Sequence, residues 1–565
     1  VRFQVVDQEG MRVPSKVTFF AVGNTDSPRD SMLGDGFIGG NPAQVVFTAD
    51  GQGEVILPPG DYRAIASRGV EYEIDESSVI HVGRDRWADI ELQVNRSVDT
   101  TGWISADFHV HAERSHDSGV SLPDRVITMA AEGVEFLAST DHDAITDYAP
   151  AIAGLNMEHW LSSTVGLEVT TIELGHFLGF PLVNDHLADN GGAFEWSGLT
   201  PQEMIDGLRN LGDPKAEEPV VFVGHPRDGI LGYFDQYGVN TRTSVGGNLS
   251  VEGSLLATAS GNTLLGVENF VIDPIDAMEI LNAKRFEMIR TPTATELELA
   301  LTDDVDIRDI LERDMEEQQD LLNGDEVLGE GWQGVLDDWF TMNNLGIRVT
   351  ALGNSDTHSK TTTEAGCPRN FVQADTDDPA FLDEQAIARA VKEGKVVASF
   401  GPFVRFYVGD ERQGPGSDVS VDGEVEFTIE VQSPSWFNIN RVELYENGTL
   451  VEEWTEADMT YDGSTDLATT WATTPEKDSW YVVVAMGDTD MAPVFTPVEF
   501  PPIQLEDVVL GALAGVGLSA FLGDAVAVPR AFPIYPFALT NPIWVDSNND
   551  GEFTPPGIPD WVQED

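Results

Sequence analysis

From residue 1 to about 98, apolar and polar residues alternate in short runs such as KVTFFAV, AQVVFTA and GEVILPPGDYRAIAS, broken by turn residues. Alternation with period two predicts strands with one buried face. The stretch therefore reads as a small β-sandwich, with Pro58-Pro59-Gly60-Asp61 as a turn between two strands. The pattern changes over 99–402. Strand-length apolar runs alternate with helical stretches such as LPDRVITMAAEGV and QAIARAVKEGK. This predicts a β/α unit with parallel strands. Residues 240–345 are looser, with helical segments around 294–323 and 331–345. They read as an insertion that shapes a substrate pocket, although its aromatics Phe270, Phe286, Trp332, Trp339 and Phe340 suit a core better than a platform. From 403 the alternation returns in VEFTIEVQS, RVELYENG and SWYVVVAMG, predicting a second β-sandwich to about 500 and then a Pro/Gly-rich tail over 501–565. The expected fold class is thus multidomain, α/β plus β. The longest uncharged stretch, 508–523, is shorter than the roughly 20 residues that cross a bilayer, so no membrane span is expected.

Charge narrows the partners. The 565 residues hold 31 Lys plus Arg against 97 Asp plus Glu, a formal net charge of −66. Such a surface repels nucleic acid, whose recognition needs Lys and Arg. It suits a saline or extracellular setting, where ions screen self-repulsion. The single cysteine, Cys367, excludes an intrachain disulfide and is silent on export. The opening run VRFQVV already reads as a strand, as though the start were processed or truncated, and an extracellular, periplasmic or cell-surface location is expected. Nothing here speaks to oligomeric state.

The chemistry lies where strands end. ISADFHVH places His109 and His111 two residues apart, on one side of a strand. VEFLASTDH ends at Asp141 and His142, STVGLEV carries Glu168 late in its run, and ELGHFLGF presents His176. PVVFVGHP ends at His225, and IRVTALGNSDTH delivers Asp356 and His358. Six of the ten histidines fall at such positions, together with Asp117, Glu168 and Asp356. Burying so many polar groups without an ion is costly. Imidazole nitrogen and carboxylate oxygen are the donors that zinc, manganese and iron accept.

The series HVHAERSHDSG, STDHD, GLEVT, GHFLGF, GHP and GNSDTHS resembles the polymerase-and-histidinol-phosphatase (PHP) superfamily. GNSDTHS…CPRNFV followed by VASFGPFV resembles its CehA/McbA-type metallohydrolases. The resemblance spans roughly 101–405. It implies a distorted (β/α)7 barrel flanked by the two β-sandwiches, holding two or three divalent metals. It further implies His109, His111, Glu168 and Asp356 around the first metal. Asp117, His142 and the shared Glu168 would hold the second, and His176, His225 and His358 the third. His116 is a fallback for Asp117, and Asp141 would orient an imidazole. The PPGDY turn of the first sandwich resembles carboxypeptidase regulatory-like accessory domains.

The implied activity is hydrolysis of a phosphoester, or of a carboxyl ester or carbamate, by a metal-bridging hydroxide. The contrasting reading is a cell-surface binding protein with the barrel as a scaffold. Arg227 and Arg369, with Lys360, are expected to meet an anionic small-molecule substrate. Asp143 is a candidate general acid. Cys367 fits no nucleophilic arrangement, and no GxSxG elbow is present. In the tail, WVDSNNDGEF places Asp546, Asn548, Asp550 and Gly551 as in the first half of a calcium loop. Gly557 stands where the twelfth-position Glu belongs, with Asp560 as a substitute. A calcium site and an ion-free Asx turn both fit this pattern.

Overall fold

The computed structural model describes residues 1–25, 42–84, 86–172, 174–228, 231–241, 249–251, 266–284, 334–499 and 531–557. The helical stretch expected over 294–323, Phe286, Trp332, the apolar run 508–523 and Asp560 lie outside the described residues.

The first segment folds as its alternation predicts. Arg2–Val6 pairs with Gln52–Glu54 and Asp89–Gln93, while Ser15–Ala21 lies between Gln44–Thr48 and Gly60–Ser67. Inward residues of both sheets, among them Phe3, Val5, Val17, Phe19, Tyr62 and Leu92, form one core. The Tyr62 hydroxyl donates to the Pro58 carbonyl (2.9 Å), closing the expected turn.

The central unit corrects the expectation of a distorted (β/α)7 barrel. Strand dominates the described residues, whose α-helices are six: Leu122–Ala131, Ala149–Leu155, Pro201–Asn210, Tyr233–Tyr237, Val335–Asn344 and Glu384–Lys392. These are too few for seven β/α repeats, and several neighbouring strands run antiparallel. Leu167–Thr170 pairs antiparallel with His176–Phe180, which pairs antiparallel with Val220–Gly224. Arg369–Gln373 likewise opposes Trp103–Val110. The physical reason is connection length: residues 171–175 are too few for a crossover helix, so the chain turns back on itself.

The strands instead form two sheets. One orders Leu167–Thr170, His176–Phe180, Val220–Gly224, Ala277–Asn282 and Thr350–Asn354. The other runs Ser162–Val165, Phe136–Ser139, Trp103–Val110, Arg369–Gln373, Val396–Ser399 and then Phe537–Thr540 from the tail, continuing through Ser479–Met486 to Arg441–Glu446 and Thr449–Thr455. Thus one sheet crosses the border expected at 402, and a tail strand bridges the two units. Phe108 of one sheet stacks on Phe180 of the other, 4.7 Å between centroids, within a shared core. The chain steps from sheet to sheet at Gly166, where a Cβ would stand 3.0 Å from the carbonyls of Ser139 and Gly179. Trp339 and Phe340 pack in the core, Phe340 against Tyr445 and Trp480.

The first helix starts at Ser121, whose side chain accepts from the Asp124 amide. Its C-terminal end receives the N-terminal sandwich: the Arg68 guanidinium donates to the carbonyls of Ala130 and Pro14. Gly69, at φ +68°, lies so close that a Cβ would overlap the Glu132 carbonyl. Gly69→Ala is therefore expected to lower the thermal midpoint by more than Gly102→Ala. Gly102 has φ +81° but open space around it, and a left-handed Ala alone costs on the order of 1 kcal/mol. Equal midpoints for the two variants in calorimetry would refute this close contact.

Candidate metal centre

Each ligand-type side chain is delivered by backbone whose register is set by the sheets. His109 is the penultimate residue of the strand Trp103–Val110, and His111 follows the strand directly. The Val110–Thr357 bridge brings the segment carrying Asp356 and His358 alongside. A second bridge joins His142 to Glu168. Thr170 lies opposite His176, and His176 opposite Gly224, so His225 follows directly beside it. His225 and Asp356 have positive φ, 27° and 48°, an uncommon backbone that re-aims each side chain as its strand ends.

All nine expected ligands meet in one place. His109 Nε2 lies 3.3 Å from Glu168 Oε1 and 3.2 Å from Asp356 Oδ1, and His111 Nε2 lies 3.6 Å from Glu168 Oε2 and 3.1 Å from Asp356 Oδ1. His142 Nδ1 is 2.5 Å from Glu168 Oε2, and His142 Nε2 is 3.3 Å from Asp117 Oδ2. His176 Nδ1 sits 2.9 Å from Glu168 Oε1 and 3.1 Å from His225 Nε2. Several overlapping trios could hold a metal ion: His109, His111 and Glu168; His109, His225 and Asp356; His111, His142 and His358; His116, Asp117 and His142; and Glu168, His176 and His225.

Four of these atoms are buried and make no hydrogen bond of acceptable geometry, Glu168 Oε2 despite the 2.5 Å approach of His142 Nδ1: His109 Nε2, His111 Nε2, Glu168 Oε2 and Asp356 Oδ1. They are the same four that lie within 3.1–3.6 Å across the first trio and Asp356. Buried polar atoms are nearly always paired. Four orphans pointing at one another fit a cation between them, so the donor set passes the test for a metal.

The electrostatics are interlocked. Burial alone would raise the Glu168 carboxyl, but the imidazoles of His142, His109 and His176 hold it well below its ordinary range. Asp356 is held down in the same way, against burial, by His109 and His358. Burial pushes His109 down, yet Asp356, Glu279 and Glu168 together lift it well above its usual value. His111 falls well below, through burial and its neighbours His358 and His142. His142 is lifted to about 11, Glu168 and Asp117 outweighing its burial. The carboxylates remain charged and need cationic partners, whether protons on imidazole or metal ions.

The grouping differs from the expected one at His358. Its Nε2 lies 3.3 Å from Asp117 Oδ2 and 3.2 Å from His142 Nε2, and its ring stacks at 4.0 Å on His111. It therefore joins Asp117 and His142, leaving His176 and His225 with Glu168. Asp117 reaches His142 and His358 equally, and the exposed His116 flanks His142 at 5.0 Å between rings and shares a trio with it and Asp117.

Arg227 and Arg369, expected to meet substrate, are both buried and engaged with protein groups. Arg227 is buried, its Nε and Nη2 held by the Asp338 carboxylate (2.6 and 2.8 Å), Nη1 by Asp235 and Nη2 also by the Val239 carbonyl. Arg369 is fully buried and donates to the Gly366 carbonyl and Ser105 hydroxyl. Their burial makes them struts of the loops carrying the ligands. Asp143 sits at φ 51° and accepts from the Thr170 amide (3.2 Å). Thr170 in turn contacts His142 Nδ1 (2.6 Å), so Asp143 steadies a ligand. Lys360 is one-third exposed beside Asp124. Burial pushes the Cys367 thiol up, consistent with a packing role. Asp546, Asn548 and Asp550 are remote in sequence and lie in the C-terminal segment, outside every trio.

Three supporting residues escaped the sequence reading. Glu279, buried in Ala277–Asn282, accepts from His109 Nδ1 (2.8 Å), the His225 amide (2.8 Å) and the Asn282 and Asn354 side-chain amides. The available signal was an acid inside the apolar run AMEIL. Ser115 contacts His111 Nδ1 (2.9 Å) and donates to Asp141, which gives Asp141 its orienting role at one remove. Arg125, fully buried, donates to the His111 carbonyl and to the Thr357 and Ser359 carbonyls, tying the two ligand-bearing segments together.

No family model and no curated protein matches this chain. Among solved structures, the chain is similar to the CARDB domain of a Pyrococcus furiosus protein in two determinations. A solution NMR structure is 21% identical and covers 15% of this chain and 75% of that one, with a TM-score of 0.12. A crystal structure of the same domain in complex with di-metal ions is 24% identical and covers 15% and 70%, also with a TM-score of 0.12. At that score the likeness bears on neither fold nor site. Glu279→Gln is expected to weaken metal retention about 10–100-fold, the usual scale for losing a carboxylate behind a histidine ligand. Competition with a fluorescent chelator measures this, and unchanged retention would assign Glu279 to the fold alone.

Proposed function

We propose that this chain is a multinuclear metal-dependent hydrolase that cleaves a small-molecule phosphoester, or a carboxyl ester or carbamate. The observation that carries the reading is the convergence of His109 Nε2, His111 Nε2, Glu168 Oε2 and Asp356 Oδ1, all buried and none paired in a well-formed hydrogen bond. The resemblance of the motif series to the PHP superfamily supports phosphoesters, and that to the CehA/McbA group supports esters and carbamates.

Glu168 is central to the arrangement. Its Oε1 faces His109, His176 and His225, while its Oε2 faces His111 and His142. One carboxylate can thus serve two cations through different oxygens. Zinc, manganese and iron suit the nitrogen and oxygen donors. When bound, such ions supply Lewis acidity and an activated water near neutral pH. The chain supplies the geometry. His109, His111 and Glu168 form a dry floor, fully buried. Asp117, with 44% of its side chain exposed, and His358, with 25%, form the solvent-facing rim. Substrate approaches over that rim. With Arg227 and Arg369 engaged elsewhere, Lys360 is the remaining cation of the three expected to meet substrate charge. The acidic surface accords with an extracellular or saline setting.

Purified protein with native metal is expected to turn over at least one member of a chromogenic phosphomonoester, phosphodiester and carboxyl-ester panel. Chelation should abolish turnover, and zinc or manganese should restore it. Glu168→Gln should lower the rate at least about 100-fold, the scale of removing one electrostatic group from an active site. Full metal content with no turnover on any panel member would overturn the enzymatic reading and favour a binding role.

A further inference from the structure

We propose that the C-terminal segment 546–552 is a low-affinity calcium site, separate from the metal centre. Asp546 ends the strand Ile543–Asp546 and is 5% exposed. Its Oδ2 accepts from the Gly551 amide and the Ser420 hydroxyl, both at 2.9 Å. The amides of Asn549 and Asp550 also face this carboxylate, so it lies beneath the turn. Its Oδ1 is buried and has no hydrogen-bond partner. A buried anionic oxygen without a partner is costly, and the loop that begins at Asp546 carries further side-chain oxygens.

Asn548 and Asp550 supply those oxygens, two and four residues on. Each uses one side-chain oxygen to accept a main-chain amide, from Asp550 and Glu552 respectively (both 2.9 Å). An oxygen acceptor has a second lone pair and can ligate as well. Donors that are all oxygen, with no nitrogen or sulfur, select a hard cation. Calcium tolerates an irregular shell completed by water, whereas magnesium demands near-octahedral geometry. Gly557 in place of a twelfth-position acid removes the bidentate ligand, which sets the affinity low.

Occupancy would secure a junction. The segment after the loop returns to the body, where the Gly557 amide donates to the Asn344 carbonyl and Phe553 packs on Trp544 at 4.9 Å. Arg348 lies over both rings. The buried Asp478 accepts from the amides of Ser547 and Thr554, bracketing the loop.

The test uses the full chain with its metal centre loaded and at constant ionic strength. Calcium is expected to raise the thermal midpoint saturably, with half-effect on the order of 0.1–1 mM, while equal magnesium does not. Asp550→Ala, at an exposed position, should fold normally and lose this increment. Equilibrium dialysis with radioactive calcium should show one site fewer in that variant, and zinc or manganese content should be unchanged. A calcium increment equal in Asp550→Ala and wild type, or no increment beyond magnesium, would overturn the proposal and leave calcium as a screening ion only.

Discussion

A single carboxylate, Glu168, sets the terms for the central unit. It is fully buried and stands within 3.8 Å of nitrogens from His109, His111, His142, His176 and His225. Removing a charge from water is expensive, and the cost is met only by opposite charge and good geometry. Every nearby element is arranged to deliver that charge. The strand holding Glu168 is reached through Gly166, which allows the chain to pass from one sheet to the other within a residue. The antiparallel pairing of Leu167–Thr170 with His176–Phe180 then returns His176 to the same carboxylate. The ligands are braced from behind, by Glu279 under His109 and His225, Ser115 and Asp141 under His111, and Thr170 under His142.

The bracing explains why so many charged groups are buried around the centre without serving it directly. Arg125 spans the segments that end in His111 and His358. Arg227 is clamped by Asp338 of the helix Val335–Asn344 and holds the turn after His225. Both guanidiniums fix loops that emerge from strand ends, where backbone is least constrained by sheet pairing. Fixing such loops is the structural requirement for ligands held to within a fraction of an ångström.

What could be read from the chain was local. The HxH spacing, the acid-His strand ends and the period-two runs of the first sandwich depend on neighbours in sequence, and the structure brings all nine expected ligands together. What could not be read was distant pairing. Nothing in IRVTALGNSDTH tells His358 to stack on His111 and not stand beside His225, because that choice is made by the Val110–Thr357 bridge. Helical stretches between apolar runs suggested parallel repeats, but the hairpin at 167–180 and the antiparallel strand Arg369–Gln373 needed no helix. The tail strand Phe537–Thr540 inserts between strands that precede it by more than fifty residues on either side of the expected border, a pairing that local pattern does not encode. Arg227 and Arg369 looked like substrate cations because they stand beside ligands in sequence, and that adjacency did not tell that both are buried against protein groups.

The central claim is that buried, unpaired donors around Glu168 are metal ligands. Anomalous X-ray diffraction from crystals of the native protein, collected above and below the zinc, iron and manganese edges, tests this most directly. The account predicts two or three anomalous peaks, each within about 2.0–2.3 Å of nitrogens or oxygens from His109, His111, Asp117, His142, Glu168, His176, His225, Asp356 and His358. A well-ordered map with no anomalous peak there, and with Glu168 satisfied by protonated histidines alone, would contradict it.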